Sequence, residues 1–95
     1  MPAYIIAQVN ITDPEKYQEY AKLAAPAGAK YGGKFLVRGG AKTILEGSNP
    51  YQRIVVNEFP DVESAKRFYN SPEYQEARSK RLGAADFNMI IVEGA

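Results

Sequence analysis

Arg38 is the residue whose type and setting first suggest chemistry in this sequence. It follows an apolar run, is predicted to share a strand face with Leu36, and precedes Gly39-Gly40, where the backbone can bulge and a ligand can approach closely. A guanidinium can hold a carboxylate through two parallel hydrogen bonds. We therefore interpret Arg38 as an anion-binding residue for an organic acid. The alternative is a structural salt bridge to Glu46, to Glu58 or to a carboxylate of a second subunit.

A second polar group is predicted on two neighbouring strands. Arg53 and Asn57 share one face of QRIVVNEF, and Asn10 lies near the end of AYIIAQVNI. Antiparallel pairing would bring Arg53 near Asn10 and Asn57 nearer Tyr4. Because buried polar side chains need partners, the three residues are either substrate-binding residues or a structural hydrogen-bond network.

Proton transfer, if it occurs, must rely on carboxylates and phenols, because the sequence contains no histidine and no cysteine. Glu58, Glu46 and Tyr69 are the candidate catalytic residues, and Tyr74 is a candidate substrate-binding residue. Tyr69 and Tyr74 flank a predicted helix break over 70–73, where a pocket could open; alternatively, both pack with their hydroxyls in solvent. The good metal ligands are missing, so no metal and no other cofactor is expected.

The charge distribution argues against polyanionic and membrane partners. Twelve basic and eleven acidic residues leave a net charge of +1. A basic helical surface is interrupted by glutamates and is therefore interpreted as solvated; its members are Lys66, Arg67, Arg78, Lys80 and Arg81. Neither a nucleic-acid nor a membrane partner is expected. With no long apolar segment and no basic leader in the opening residues, a cytoplasmic location is expected.

The order of predicted elements is β-α-β-β-α-β in one domain over 1–95. Strands are predicted at 3–11, 34–46, 52–59 and 86–93. The second of these consists of two halves, 34–38 and 42–46, that are joined by a bulge at Gly39-Gly40. One helix starts at Thr12-Asp13-Pro14, is bent or interrupted by Pro26 and ends at Gly32-Gly33. A second helix starts at Pro60-Asp61 and resumes after its break to about Leu82. This order predicts an α+β, ferredoxin-like fold: a four-stranded antiparallel sheet with the helices on one face.

Both faces of the predicted sheet are apolar. Ile54 and Val56 alternate with Val55 in one strand, and Met89 alternates with Ile90 in another. Helices can cover only one face, and a large apolar surface is unfavourable in water. The sequence therefore predicts a homodimer in which two sheets pack face to face.

The sequence resembles a bacterial family of unknown function, domain of unknown function 1330, in the dimeric α/β-barrel superfamily of ferredoxin-like folds. The resemblance rests on MPAY, DPEKYQEY, YGGKFLVRGG, the LEG turn, NEFP, FYNSPEYQ and IIVEGA, which together span nearly the whole chain. It implies the fold, the dimer and a small-molecule pocket in each subunit, but no established activity.

Relatives in the wider superfamily include cofactor-independent monooxygenases, haem-degrading enzymes, aldoxime dehydratases and lactone isomerases. Several rely on histidine, so their mechanisms do not transfer to this chain. Two functions are expected: a cofactor-independent enzyme acting on a small anionic or carbonyl metabolite, or a non-catalytic dimer that binds or senses one.

Overall fold

The computed structural model describes residues 1–95 and contains four strands and three helices. In chain order they are β1 (Ala3–Ile11), α1 (Pro14–Lys30), β2 (Lys34–Arg38), β3 (Arg53–Phe59), α2 (Val62–Tyr69), α3 (Pro72–Arg81) and β4 (Ala85–Glu93). The strands pair in the order β2-β3-β1-β4, and every neighbouring pair is antiparallel. The predicted ferredoxin-like fold is confirmed, with the second helical region divided into α2 and α3.

Side-chain caps fix where the helices begin. Asp13 accepts a hydrogen bond from the Lys16 amide at 3.3 Å, and Asp61 accepts one from the Ser64 amide at 2.7 Å. Ser71 ends one helix and begins the next, because its hydroxyl donates to the Phe68 carbonyl at 2.7 Å and accepts from the Tyr74 amide at 3.1 Å. The predicted interruption at Pro26 is wrong: α1 continues through it to Lys30.

The helices cover only one face of the sheet. On that face, Ala3, Ile5, Ala7 and Val9 are at most 4% exposed and form the core with Phe59 and the aromatic residues of the helices. The opposite face is also largely apolar, as predicted, and stays partly exposed; its apolar residues include Tyr4, Ile6, Val37, Ile54, Val56, Ile90 and Val92. We call these seven residues the open face. The chain is thus a two-layer slab about 16 Å thick.

Strand β2 is shorter than predicted. It ends at Arg38, and residues 39–52 form no second half-strand. The irregularity in the β2–β3 ladder falls between Phe35 and Val37, not at Gly39-Gly40. Gly39 instead ends the ladder, with its amide donating to the Ile54 carbonyl at 2.9 Å. No helix has both the length and the apolar character needed to cross a bilayer.

Candidate functional site

The β-bulge in β2 decides where Arg38 lies. Phe35 pairs with Asn57, but Arg38 pairs with Val55, so one extra residue is accommodated between them. Directly paired residues share a face, and Val55 faces the helices. Arg38 therefore shares its face with Phe35. The expectation that it shares a face with Leu36 is wrong, because strict alternation does not hold across a bulge.

A cleft opens between α1 and the sheet on this side. Its cavity has a volume of about 70 Å³, and its walls are mostly apolar. Polar atoms enter from six side chains that lie on four different elements: Tyr17, Tyr20, Arg38, Arg53, Asn57 and Tyr74. Four of the predicted substrate-binding residues, namely Arg38, Arg53, Asn57 and Tyr74, therefore line one cleft.

Gly39 determines how closely Arg53 approaches the end of β2. Its φ is +72°, and a Cβ added there would lie 2.5 Å from the Arg53 Cζ atom. Only glycine leaves that space free and tolerates the left-handed backbone. The predicted close approach to this glycine thus exists, but the group that uses it is Arg53.

Neither arginine of the cleft has an acidic partner within the chain. The one ion pair joins Lys30 to Glu73, away from both. The Arg38 guanidinium lies over the Phe35 ring, 4.4 Å from its centre. The buried Nε of Arg53 has no hydrogen-bond partner.

The predicted intrachain salt bridge of Arg38 is wrong. Glu46 lies in the exposed segment after β2, and Glu58 lies on the open side of the sheet, where it pairs with Lys34. Partial burial, and after it the Glu58 carboxylate, raise the pKa of Tyr4 there. A salt bridge between Arg38 and a carboxylate of a second subunit remains a prediction.

Asn57 supplies an acceptor at the floor of the cleft. It is 7% exposed, and its Oδ1 has no hydrogen-bond partner. An unpartnered buried amide oxygen is costly unless something donates to it. The cleft therefore combines two cationic donors with one neutral acceptor, a set suited to a ligand that carries both an anionic oxygen and a hydroxyl or amino group.

The tyrosines of the cleft supply hydroxyl groups for hydrogen bonding. Tyr20 and Tyr74 share a hydrogen bond between their hydroxyls at 3.1 Å, and Arg81 donates to the Tyr74 hydroxyl at 3.3 Å. Burial raises the pKa of Tyr20, and burial also raises the pKa of Tyr17 against the opposing effect of the nearby Arg53. Tyr17 and Tyr20 can therefore donate hydrogen bonds but do not act as bases near neutral pH. The prediction that the Tyr74 hydroxyl lies in solvent is wrong, since Tyr74 is fully buried.

Arg81 was assigned from its sequence to a solvated basic surface, and that assignment is wrong. It is 7% exposed, and its guanidinium carbon lies 3.8 Å from the centre of the Phe87 ring. A signal for this burial exists in the sequence: Tyr74, Ala77 and Arg81 fall at i, i+3 and i+7, the buried stripe of α3. The surrounding charges conceal it, because three of the last four residues of α3 are basic.

The remaining candidates lie elsewhere. Asn10 anchors the segment after β2, since its Nδ2 donates to the Pro50 carbonyl at 3.2 Å and its Oδ1 accepts from the Gln52 amide at 2.8 Å. It points away from Arg53, which pairs with Val9, so the predicted joint network does not form. Tyr69 lines a separate cavity beside β4.

Comparison with known proteins identifies a family and a fold. A family model described as "Domain of unknown function (DUF1330)" matches residues 2–95. No curated protein matches the sequence.

Several solved structures share the fold. A protein of unknown function from Rhodopseudomonas palustris aligns with a TM-score of 0.79 at 22% identity, over 99% of this chain and 82% of that one. A dimeric ferredoxin-like protein of unknown function from Jannaschia sp. CCS1 aligns with a TM-score of 0.79 at 12% identity, over 99% and 100%. SnoaB, a cofactor-independent oxygenase from Streptomyces nogalater, aligns with a TM-score of 0.66 at 11% identity, over 99% and 93%. At these identities the likeness concerns the fold alone.

Proposed function

Because the chain belongs to the DUF1330 family, whose domains have no known function, we propose its function from the cleft itself. The protein is a homodimer that binds a small organic anion between α1 and the sheet of each subunit. The observation that carries this proposal is the pair Arg38 and Arg53, which line one apolar cleft with no carboxylate of the chain as partner. Unpaired charges beside apolar walls are unfavourable, and an anionic ligand relieves that cost.

The cleft also limits the size of the ligand. At roughly 10–15 Å³ for each water position, a cavity of about 70 Å³ corresponds to about five waters. The ligand is therefore a compact molecule with a handful of carbon and oxygen atoms, such as a short keto acid, a hydroxy acid or the enolate of a small dicarbonyl compound. Its anionic oxygen lies between the guanidinium groups, and Asn57 Oδ1 accepts a hydrogen bond from its hydroxyl group.

The open face supports the homodimer. Ile90 and Val92 on this face are 52% and 41% exposed, and an apolar surface shared by four strands favours association with an identical sheet. Leu45, in the segment after β2, is 91% exposed and adds apolar surface outside the sheet. The similar structure from Jannaschia sp. CCS1 is described as dimeric.

Calorimetric titration with acetoacetate tests the anion-binding proposal. Acetoacetate has the expected size and carries both a carboxylate and an enolisable carbonyl. Arg53→Gln should weaken its binding about tenfold or more, because a hydrogen bond to a charged group contributes about 1.5–3 kcal/mol. Arg67→Gln, which removes the same charge from an exposed position of α2, is the matched control. Equal binding by both variants, or no binding by the parent to acetoacetate, pyruvate and lactate, would refute the proposal.

Arg38→Gln distinguishes the two roles open to that residue. If Arg38 binds the ligand, the variant loses affinity for acetoacetate and remains a dimer. If Arg38 instead pairs with a carboxylate of the second subunit, the variant dissociates at micromolar concentration while each subunit keeps its affinity. Sedimentation velocity and calorimetry on the same sample separate these results.

A second candidate function is cofactor-independent oxygenation of the bound anion. Two guanidinium groups in an apolar cleft stabilise an enolate relative to its neutral form, and SnoaB, a cofactor-independent oxygenase, shares the fold. The enolate carbon would give its electrons to O₂, form a carbon–oxygen bond and become a hydroperoxide on protonation. Two measurements with acetylacetone test this: the absorbance of its bound enolate, and the uptake of O₂ by the mixture of protein and acetylacetone. A bound enolate without O₂ uptake would be consistent with the binding function and would refute the oxygenation.

A further inference from the structure

A second cavity lies beside the first, between α3 and β4. It has a volume of about 460 Å³, and its floor is apolar: Ile5, Phe87, Met89 and Ile91 on the helix-facing side of the sheet, with Ile90 at the strand edge. Its polar groups come from three residues of the helices, namely Tyr69 at the end of α2 and Arg78 and Arg81 on α3. Ile5, Phe87 and Met89 also line the first cleft, so they form the partition between the two.

The two arginines of this cavity are not neutralised by the chain. The Nε atoms of Arg78 and Arg81 are both buried without a hydrogen-bond partner, and neither residue forms an ion pair. Arg81 is 7% exposed; its one hydrogen bond goes to the Tyr74 hydroxyl at 3.3 Å, and its other contacts are the faces of Phe87 and Tyr20. Aromatic faces compensate part of the lost hydration of a guanidinium, but a neutral hydroxyl and two rings leave its positive charge uncompensated.

The spacing of the two side chains fits one ligand group. Arg78 and Arg81 are three residues apart on α3, so they project from the same side of the helix one turn apart. Two guanidinium groups held this way can both donate to the oxygens of a single carboxylate. The apolar floor next to them, and the larger volume of this cavity, accommodate a hydrocarbon chain or ring attached to that carboxylate.

We propose that the cavity between α3 and β4 is a second ligand site, which binds an amphipathic carboxylate: an organic acid with an apolar chain or ring of several carbons. Arg78 and Arg81 bind the carboxylate, Tyr69 lies within the same cavity as a further donor, and Phe87, Met89 and Ile91 contact the apolar body. This site differs from the cleft at α1 in ligand size and in the residues that bind the charge, so the two proposals stand or fall separately.

Titration of the protein with octanoate, followed by calorimetry and by amide chemical shifts, tests the proposal. Octanoate should bind once per chain with shifts concentrated in α3 and β4, and 1-octanol, which keeps the chain but lacks the charge, should bind about tenfold more weakly. Arg78→Gln should reduce octanoate affinity about tenfold. Its matched control is Lys80→Gln, which removes one positive charge from an exposed position of the same helix and should leave the affinity unchanged.

Three results would overturn the proposal. Equal binding of 1-octanol and octanoate would show that the charge is not recognised, and equal loss in Arg78→Gln and Lys80→Gln would show only a general effect of net charge. Inorganic phosphate binding as tightly as octanoate would refute the role of the apolar floor. Arg53→Gln should leave octanoate binding intact, so failure of the anion site at α1 is distinguishable from failure here. If Arg78→Gln unfolds in urea with the same transition as the parent protein, its lost affinity for octanoate reflects the changed site and not a loss of folding.

Discussion

The contact between Gly39 and Arg53 allows backbone strain to be separated from ligand binding by three alanine substitutions. Gly39 has a φ of +72°, and its added Cβ would lie 2.5 Å from Arg53 Cζ and 2.6 Å from Nη1. Gly47 has a similar φ of +70° but no atom within 4 Å of an added Cβ. Gly40 has neither feature.

The expected stabilities follow from the backbone. A left-handed conformation costs a residue with a Cβ about 1–2 kcal/mol, and the lower entropy of the unfolded chain returns about 0.4–1 kcal/mol. Gly47→Ala and Gly39→Ala should therefore each lower the free energy of unfolding by about 1 kcal/mol. Gly40→Ala should leave it unchanged or raise it slightly. Urea unfolding followed by circular dichroism measures these differences; with a slope of about 1 kcal/mol per molar urea, the midpoint should shift by about 1 M.

Ligand affinity should separate the two strained variants. In Gly39→Ala the Arg53 guanidinium must move, which costs little stability because it is the end of a flexible side chain, but which removes a donor from the cleft. Acetoacetate affinity should fall about tenfold or more, as for Arg53→Gln. Gly47→Ala should keep the affinity of the parent protein. If Gly39→Ala and Gly47→Ala bind acetoacetate equally well, the position of Arg53 against Gly39 does not matter for binding, and the reasoning is wrong.

Three further predictions address the dimer, the ion pair and the hydroxyl chain. Ile6→Lys adds a charge to the open face and should give monomers in sedimentation velocity. The control Gln18→Lys, on the exposed side of α1, should remain dimeric. A dimeric Ile6→Lys variant would contradict the proposed interface. Hydrogen bonding to Lys30 lowers the pKa of Glu73 below its usual value of 4.5. The pair therefore stabilises the fold above pH 4.5, and this stabilisation is lost as the pH falls through the lowered pKa. Glu73→Gln should remove this contribution to the pH dependence of the urea midpoint. Tyr74→Phe leaves the Tyr20 hydroxyl and Arg81 without their shared partner and should lower the free energy of unfolding in urea by about 1–3 kcal/mol. Tyr51→Phe, at a partly exposed position, should lower it little. Equal urea midpoints for the two variants would show that the hydrogen-bonded hydroxyls add no stability.

Local sequence signals were sufficient to predict the order of elements. Asp13, Asp61 and Ser71 all cap helices at predicted starts, because the capping hydrogen bond involves residues only three positions apart. Strand β1 was predicted with its observed bounds, since a run of alternating apolar residues identifies its buried face. The interruption predicted at Pro26 does not occur, because packing of α1 against α3 outweighs the local cost of proline.

Charge patterns were less informative than apolar ones. A basic residue near other charged residues is most often solvated, and this holds for Lys66, Arg67 and Lys80. Arg81 differs because Phe87 and Tyr74 contact it. The stripe of Tyr74, Ala77 and Arg81 indicates a buried position, but nothing in the sequence indicates that Phe87 of β4 packs against it. The contact depends on tertiary packing, so the proposed ligand site at Arg81 could not be predicted from residue spacing alone.

The cleft at α1 depends on a β-bulge in β2 that no residue type in the sequence predicts. Arg38 and Arg53 line one cavity because β2 carries an extra residue between Phe35 and Val37, where neither glycine nor proline marks a bulge. Strict alternation from Phe35 would place Arg38 opposite Ile54 on the open face, whereas Arg53 faces the helices. The bulge moves Arg38 to the side of Phe35, where its partner can be a ligand. Of the two glycines predicted to form the bulge, Gly39 instead allows the close approach of Arg53. The irregular ladder therefore links the sequence to the proposed function: without that extra residue in β2, the sheet could present only Arg53 to the cleft.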